Sequence, residues 1–346
     1  MVDLIRRNVD KNIIADVLLW CILAALIIMS AINIDSLWGL SSVSLRYKEP
    51  VSGQTAWLAR QYAALQEDES VFWPTFWRET QLQVTGDLRK TNARCIYYSG
   101  NAGQVWRAQY LAGSAPGVTD GAGCAVSSGL AWELWGGFDV IGKKIEVDGA
   151  ERTVRGVFEE DDPIALLAIS DEDKSQSFSA VELSGGPSSP TRADAKSFAV
   201  ASGLGAPDNI LIGTPASLVE ILSALPLLIL AVYGFALLTG ALKKYPSALQ
   251  GALFLALIVF AILLPYLLDA LPDRIIPTRW SDFSFWGSLA GQLGDDLHEY
   301  MAVEPRLRDV ELKTLLLKQT GIACLAVMFA IIVCFRWHIT KTTNAE

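Results

Sequence analysis

The chain has 346 residues, of which 51% are hydrophobic and 19% charged, and its mean hydropathy is +0.33. That balance fits a membrane protein with a sizeable soluble part better than a water-soluble enzyme. A formal net charge of −9 argues against nucleic acid as a partner, because binding phosphates needs a concentrated positive face.

Residues 1–12 are polar and basic, with Asp3, Arg6, Arg7 and Asp10 interrupting Leu4, Ile5 and Val9. This pattern suits a short amphipathic helix lying along the inner membrane surface. An apolar stretch follows at 17–34, within an expected span at 13–34. Its exit, Ile32-Asn33-Ile34-Asp35, lacks a small-x-small cleavage pattern, so an uncleaved anchor is expected.

Residues 35–216 have ordinary globular composition. Residues 57–67 read as helix, and 76–84 and 94–98 as strands. The Gly- and Pro-rich run 113–123 reads as loop. A short strand at 124–126 precedes a helix at 130–134, which Ser127 or Ser128 can cap. The clearest local signal is at 144–158. Lys144 to Val147 alternates, Asp148-Gly149 is a strong two-residue turn, and Thr153 to Val157 returns. The polar interval 170–191 is expected to hold one edge strand at 178–183. A helix at 192–203 and a strand at 209–212 complete a mixed α/β domain.

Three more apolar stretches come close together, at 221–242, 245–268 and 315–335. The four stretches run 18 to 24 residues each. At ~1.5 Å per residue they reach ~27–36 Å, enough to cross a hydrocarbon core of about 30 Å. The expected fold class is therefore a membrane protein with four transmembrane α-helices (1+3) and a large mixed α/β extracytoplasmic domain between helices 1 and 2. The spans are taken as 13–34, 217–242, 248–269 and 313–335. The basic residues Arg6, Arg7, Lys11, Lys243, Lys244, Arg336 and Lys341 flank them. By the positive-inside rule this puts 1–12, 243–247 and 336–346 in the cytoplasm, and 35–216 and 270–312 outside.

The second outer loop carries Trp280, Phe283, Phe285 and Trp286 beside Pro and charge, which suits an anchor at the outer headgroup level. The helix-like run 289–300 then either lies across the membrane surface or packs against the larger domain.

Cys21, Cys324 and Cys334 fall inside spans as small apolar fillers. Cys95 and Cys124, the two cysteines of the outer domain, are expected to form a disulfide, with buried free thiols as the alternative.

No catalytic constellation is expected. Gly137 to Lys143 fits a phosphate-binding loop except at its end, where Lys144 stands in place of Ser or Thr and a strand follows in place of a helix. His298 and His338 lie on opposite sides of the membrane in this topology, and no Cys-x-x-Cys pair exists, so neither metal nor cofactor is expected. The acidic run 159–162 reads as a solvated loop. A hydrolase would depend on His298, the lone outer histidine. Asp16, at the inner end of the first span, is expected to reach the headgroups or pair with a nearby cation.

The segments Tyr110-Leu111-Ala112-Gly113, Cys124-Ala125-Val126-Ser127 and Leu130 to Gly136 resemble the extracytoplasmic core domain of MacB-type ABC transporter permeases. So do Asp139 to Gly149 and Thr153-Val154-Arg155-Gly156-Val157-Phe158, which look like that domain's Gly-Lys strand, tight turn and Val-x-Gly-Val strand. The one-plus-three order of spans is also that family's layout. The resemblance implies a non-catalytic permease-type subunit in a bacterial cytoplasmic membrane, with both termini inside. Its implied partners are a cytosolic ABC ATPase and a second permease subunit, identical or not, whose ATP-driven closure moves the outer domains. One departure stands out: members usually carry a charged coupling segment between spans two and three, and here only Lys243-Lys244-Tyr245-Pro246-Ser247 fills that place. Arg6, Arg7, Lys243 and Lys244 are the remaining candidates for an ATPase contact. The alternative is a membrane-anchored binding or scaffold protein that kept the fold without ATP coupling.

Overall fold

A computed structural model describes residues 2–37, 43–66, 71–87, 89–117, 119–170, 173–186, 190–243, 245–269 and 283–343. They fall into two compact units. One is helical; the other comprises Gly39–Thr214 together with Trp286–Asp309 and holds a sheet.

The sheet unit has ten strands among the described residues: β1 (Val43–Ser52), β2 (Phe72–Thr85), β3 (Lys90–Ser99), β4 (Tyr110–Gly113), β5 (Gly123–Ser127), β6 (Lys144–Val147), β7 (Ala150–Phe158), β8 (Ile164–Ala168), β9 (Ser177–Gly185) and β10 (Asn209–Ile212). Their order is β10-β1-β9-β2-β3-β8-β5-β7-β4, with β6 bridging β2 and β7. Pairs β3–β8 and β5–β7 are parallel and the rest antiparallel, so the sheet is mixed.

Side chains alternate across it as the two-residue strand period requires. Phe76, Cys95, Tyr97 and Val126 go to one core cluster; Trp77, Ile96, Tyr98 and Phe158 go to the other. The first cluster also takes in buried residues of α2 (Gly53–Ala64), α4 (Ser128–Trp135) and α5 (Arg192–Ala201). On α2 the buried positions are Gly53, Ala56, Ala59 and Ala63, a small-residue stripe at helical spacing. The second cluster takes in Val105 of the single-turn α3 (Ala102–Val105), Trp106, and Leu307.

Several local expectations hold. Asp148 and Gly149 both have positive φ, 54° and 74°, the conformation of a two-residue hairpin turn with right-handed strand twist. Ser127 caps α4 by accepting from the Leu130 N–H at 3.0 Å. The acidic run is held by the same corner, since Ser127 and Ser128 donate to the carbonyls of Asp162 and Glu160. Gly129 passes so close to the Asp161 carbonyl that a Cβ there would overlap it. Thr191 and Asp194 form a reciprocal capping box at the start of α5.

Three expectations change. The strand expected at an edge, 178–183, lies between β1 and β2 as a central strand of the sheet. Its Ser-rich flanks read as solvent-exposed, yet Ala180, Val181 and Leu183 are fully buried. The strands β1, β4 and β8 were not expected at all. Finally, Cys95 and Cys124 are free thiols. Cys95 pairs with Ala165 and Cys124 with Leu167, both on β8, which stands between them. Two strand spacings are about 9–10 Å, beyond the reach of a disulfide. Burial pushes both thiols up to about 12, which keeps them protonated and unreactive.

The helical unit is built from α1 (Val2–Leu37), α6 (Thr214–Leu242), α7 (Pro246–Asp269) and the part of α9 (Leu307–Thr343) beyond Asp309. Three stretches among the described residues are long and apolar enough to cross a membrane: Ile14–Asn33, Leu218–Leu242 and, within α9, Leu307–Trp337. A shorter apolar run, Gln250–Ile262, lies in α7. The chain is a membrane protein on that composition. Residues 2–12 do not form a separate surface helix; they continue without a break into the first apolar stretch.

Packing in this unit uses small residues. Ala323, Ala326 and Ala330 of α9 are fully buried, and Leu23 of α1 packs with Ala330 and Val333.

Candidate functional site

The sheet unit contains a buried charge cluster that the sequence alone does not single out. Strand register assembles it. Ser44 on β1 and Thr75 on β2 stand opposite Glu182 on β9; Arg46 and Trp77 stand opposite Ala180. All of these side chains therefore share one face of three adjacent strands. Glu182 is fully buried on a central strand, where an unpaired carboxylate would cost several kcal/mol. Its Oε1 accepts from Ser44 Oγ at 2.7 Å and from Trp77 Nε1 at 2.9 Å, and it pairs with Arg308 Nη1 at 2.9 Å. Arg46 Nη1 lies 3.6 Å away.

Arg46 is also buried, and its Nη2 donates to Asp309 Oδ1 at 2.7 Å. Asp309 Oδ2 accepts from the Arg306 N–H, and Glu79 Oε2 accepts from the Leu307 N–H. These are the orphan donors that every helix start must satisfy. The first turn of α9 is thus held to the sheet at three successive residues, 307 to 309.

Trp77 links the cations: the guanidinium carbons of Arg46 and Arg306 each lie 4.9 Å from its ring centroid. Arg306 Nη2 donates to Ser179 Oγ and the Ser179 carbonyl. Burial, with the positive charge of Arg46 beside it, pushes the Arg306 guanidinium down to about 10.

Above this cluster lies a polar groove of about 770 Å³, whose charged lining is Arg46, Lys48, Glu79, Arg94, Asp208, Glu304 and Arg306.

The second tie in this unit involves α8 (Phe283–Ala302). Arg192, at the start of α5, pairs with Asp296 at 2.7 Å and with Glu299, whose other oxygen accepts from the Ile210 N–H of β10. Leu289, Asp296 and Tyr300 are buried. Of the two readings open for 289–300, packing against the sheet domain is the one observed. His298 faces outward on the same helix.

The helical unit has its own polar centre. Gln319 of α9, almost fully buried, donates from Nε2 to Ser30 Oγ, the Ser30 carbonyl and Ser223 Oγ, at 2.8 to 3.1 Å. One amide thereby joins α1, α6 and α9. Towards the ends of the same helices Asp16 pairs with Arg336 at 2.7 Å, as a nearby cation was expected to do, and Trp20 meets Trp337 edge-on.

The expected site residues are scattered. Arg6 and Arg7 lie on α1, and Lys243 is exposed just past the end of α6. Lys244 and Trp280 lie outside the described residues. Phe283 begins α8, with Phe285 half-buried and Trp286 exposed in its first turn. The described residues contain no group of His, Cys, Asp or Glu arranged to hold a metal. The near-miss phosphate loop is a turn at Gly142, φ 83°, leading into β6.

No family model matches the chain, and no curated protein matches it. Among solved structures it is similar to the periplasmic region of MacB from Actinobacillus actinomycetemcomitans, at 8% identity over 51% of this chain and 91% of that one, TM-score 0.41. It is similar also to the extracellular domain of the noncanonic ABC-type transporter YknZ from Gram-positive bacteria, at 10% identity over 50% and 98%, TM-score 0.38. A third is a domain of a protein described as a permease from Porphyromonas gingivalis, at 15% identity over 49% and 88%, TM-score 0.36. These are likenesses of fold.

Proposed function

We propose that this chain is a permease-like membrane subunit of a MacB-type ABC transporter, which moves its sheet domain when a separate ATPase hydrolyses ATP. The observation that carries this reading is α9. It is one helix of 37 residues, its apolar length suited to a membrane and its first turn fixed to the sheet by buried ion pairs. A displacement imposed on that helix is delivered to β1, β9 and β2. The chain's own chemistry supports a mechanical role: its candidate site is built of paired charges that tie a helix start to the sheet.

In this reading α7 is the third of four spans, the termini are cytoplasmic and the sheet domain is outside. The ATPase docks on Arg6, Arg7, Lys243 and Lys244, a second permease subunit completes the assembly, and Trp280, Phe283, Phe285 and Trp286 meet the outer headgroups.

A specific observation favours a second reading. Only residues 243–245 separate α6 from α7, too few for a coupling helix. A scaffold or binding protein without ATP coupling would need no more.

Purification of the tagged chain in mild detergent distinguishes the two. The transport reading expects an ABC ATPase to be recovered, with hydrolysis stimulated by the chain and the stimulation lost in Lys243→Glu/Lys244→Glu while membrane insertion is kept. Repeated recovery of the chain without any ATPase, or indifference to the double substitution, leaves the scaffold.

A further inference from the structure

The charge cluster is satisfied on one side only. Its carboxylates are taken up. Glu182 accepts from Ser44 and Trp77 and pairs with Arg308, and Asp309 holds Arg46 and the Arg306 N–H. Glu79 holds the Leu307 N–H and pairs with Arg94, and Asp208 accepts from the Lys48 N–H at 2.8 Å. The donors are not all taken up. Arg46 Nε and Arg306 Nη1 are buried without a hydrogen-bond partner among the described residues, although both side chains line the groove. Buried polar groups are almost always hydrogen-bonded, and guanidinium N–H groups can only donate. What is missing is an acceptor.

The surroundings specify which kind. Arg94 and Lys48 extend the positive lining towards solvent, and Asn209, Gln81 and Thr80 add neutral polar groups. The start of α9 adds the positive end of a long helix dipole at the same place. The volume, about 770 Å³, is that of a small-molecule site. Arg306, half-buried on the wall, carries its charge against the strain of burial and a neighbouring cation, so an incoming negative group relieves it.

We propose that this groove is an oxyanion site, in which the carboxylate or phosphate group of a ligand takes the free guanidinium donors of Arg306 and Arg46, with Arg94 and Lys48 drawing it in. The arrangement is that of charge-assisted recognition: a planar fork presented to paired oxygens. The site goes beyond the transport reading and does not depend on it, since it asks nothing of an ATPase.

The test uses the full chain in nanodiscs. In phosphatidylcholine discs at fixed ionic strength, titration calorimetry with inorganic phosphate and with citrate reads binding of a free anion. Discs made with phosphatidylglycerol, compared by thermal unfolding midpoint, read binding of a lipid headgroup. Saturable binding or a raised midpoint in either arm is expected, weakened at least about tenfold by Arg306→Gln, the loss of one charge-assisted contact. Glu304→Gln, which removes an exposed acid from the rim, tightens it by about twofold through relief of a screened like-charge contact. Lys144→Gln, on the exposed β6–β7 hairpin and outside the groove lining, leaves it unchanged. Should Arg306→Gln fail to fold, the opposed effects of Arg94→Gln (weaker) and Glu304→Gln (tighter) decide in its place. A free anion bound in phosphatidylcholine discs makes the ligand soluble; an effect confined to phosphatidylglycerol makes it a headgroup. No response in either arm, or a response that Arg306→Gln and Arg94→Gln leave intact, overturns the site.

Discussion

The connection from α7 to α9 and the connection from α6 to α7 do opposite things with the same task of returning a chain between apolar helices. The described part of the first contains α8 and residues 303–306, and it and the first turn of α9 are held by Arg192–Asp296, Arg46–Asp309 and Arg308–Glu182. The second is three residues, 243–245. A turn between helices needs only a few residues, so the long return is there for what it touches. It touches the sheet, on α5 and β10 at one end and on β1, β9 and β2 at the other. The difference teaches that this chain invests its return segments in the sheet domain and leaves α6–α7 as a bare turn.

The comparison breaks most sharply at Glu182. Glu182→Ala removes the carboxylate that Arg308 pairs with at 2.9 Å and leaves the Trp77 and Ser44 donors without that acceptor in a buried site. It should cost about 3–5 kcal/mol, read as a large fall in the unfolding midpoint of the sheet domain. Arg192→Ala removes a half-exposed cation shared by two acids. Its cost is about 1–2 kcal/mol, with faster amide exchange across 283–302 as the sign that α8 has loosened. Gln319→Leu deletes the amide joining α1, α6 and α9. Polar ties between membrane helices are worth about 0.6–1.7 kcal/mol, so a modest loss of detergent stability is expected, with the sheet domain unaffected.

The smallest effect at neutral pH belongs to the two thiols. Folded, Cys95 and Cys124 keep their protons to about 12; unfolded, they release them near 9, the ordinary thiol value. The folded state binds more protons between those values, so their contribution is intact below pH 9 and is lost as pH rises from about 9 to 12. Cys95→Ala/Cys124→Ala should flatten that alkaline decline. Neither oxidant nor reductant should change the wild type's mobility on a non-reducing gel.

How much of this was legible in the sequence follows from how local each signal is. The Asp148-Gly149 hairpin and the Ser127 cap each depend on a few adjacent residues, and each stands as expected. Apolar length marked three helices long enough to cross a membrane, in α1, α6 and α9, for the same reason. The charge cluster is the opposite case. Glu182, Arg46 and Asp309 are brought together across 127 to 263 residues of sequence, and a lone acid among serines reads as surface until the strand order puts it at the centre. A weak signal did exist in Val43-Ser44-Leu45-Arg46-Tyr47, whose alternation places Ser44 and Arg46 on one side of a strand. Gln319 was visible as a polar residue inside an apolar helix, which in a membrane marks a packing or functional contact. The disulfide failed because parity and compartment say nothing of strand order: one intervening strand, β8, decides it.

The central claim is that the first turn of α9 carries motion into the sheet. Hydrogen exchange and limited proteolysis of residues 110–185, measured in the presence of ATP and of ADP on the chain together with the ATPase that the proposed function expects to co-purify, test it most directly. The account predicts a nucleotide-dependent change in the wild type that disappears in the milder variant Glu182→Gln while ATP is still hydrolysed. An identical pattern in both nucleotides for the wild type, or an unaltered change in Glu182→Gln, would contradict it.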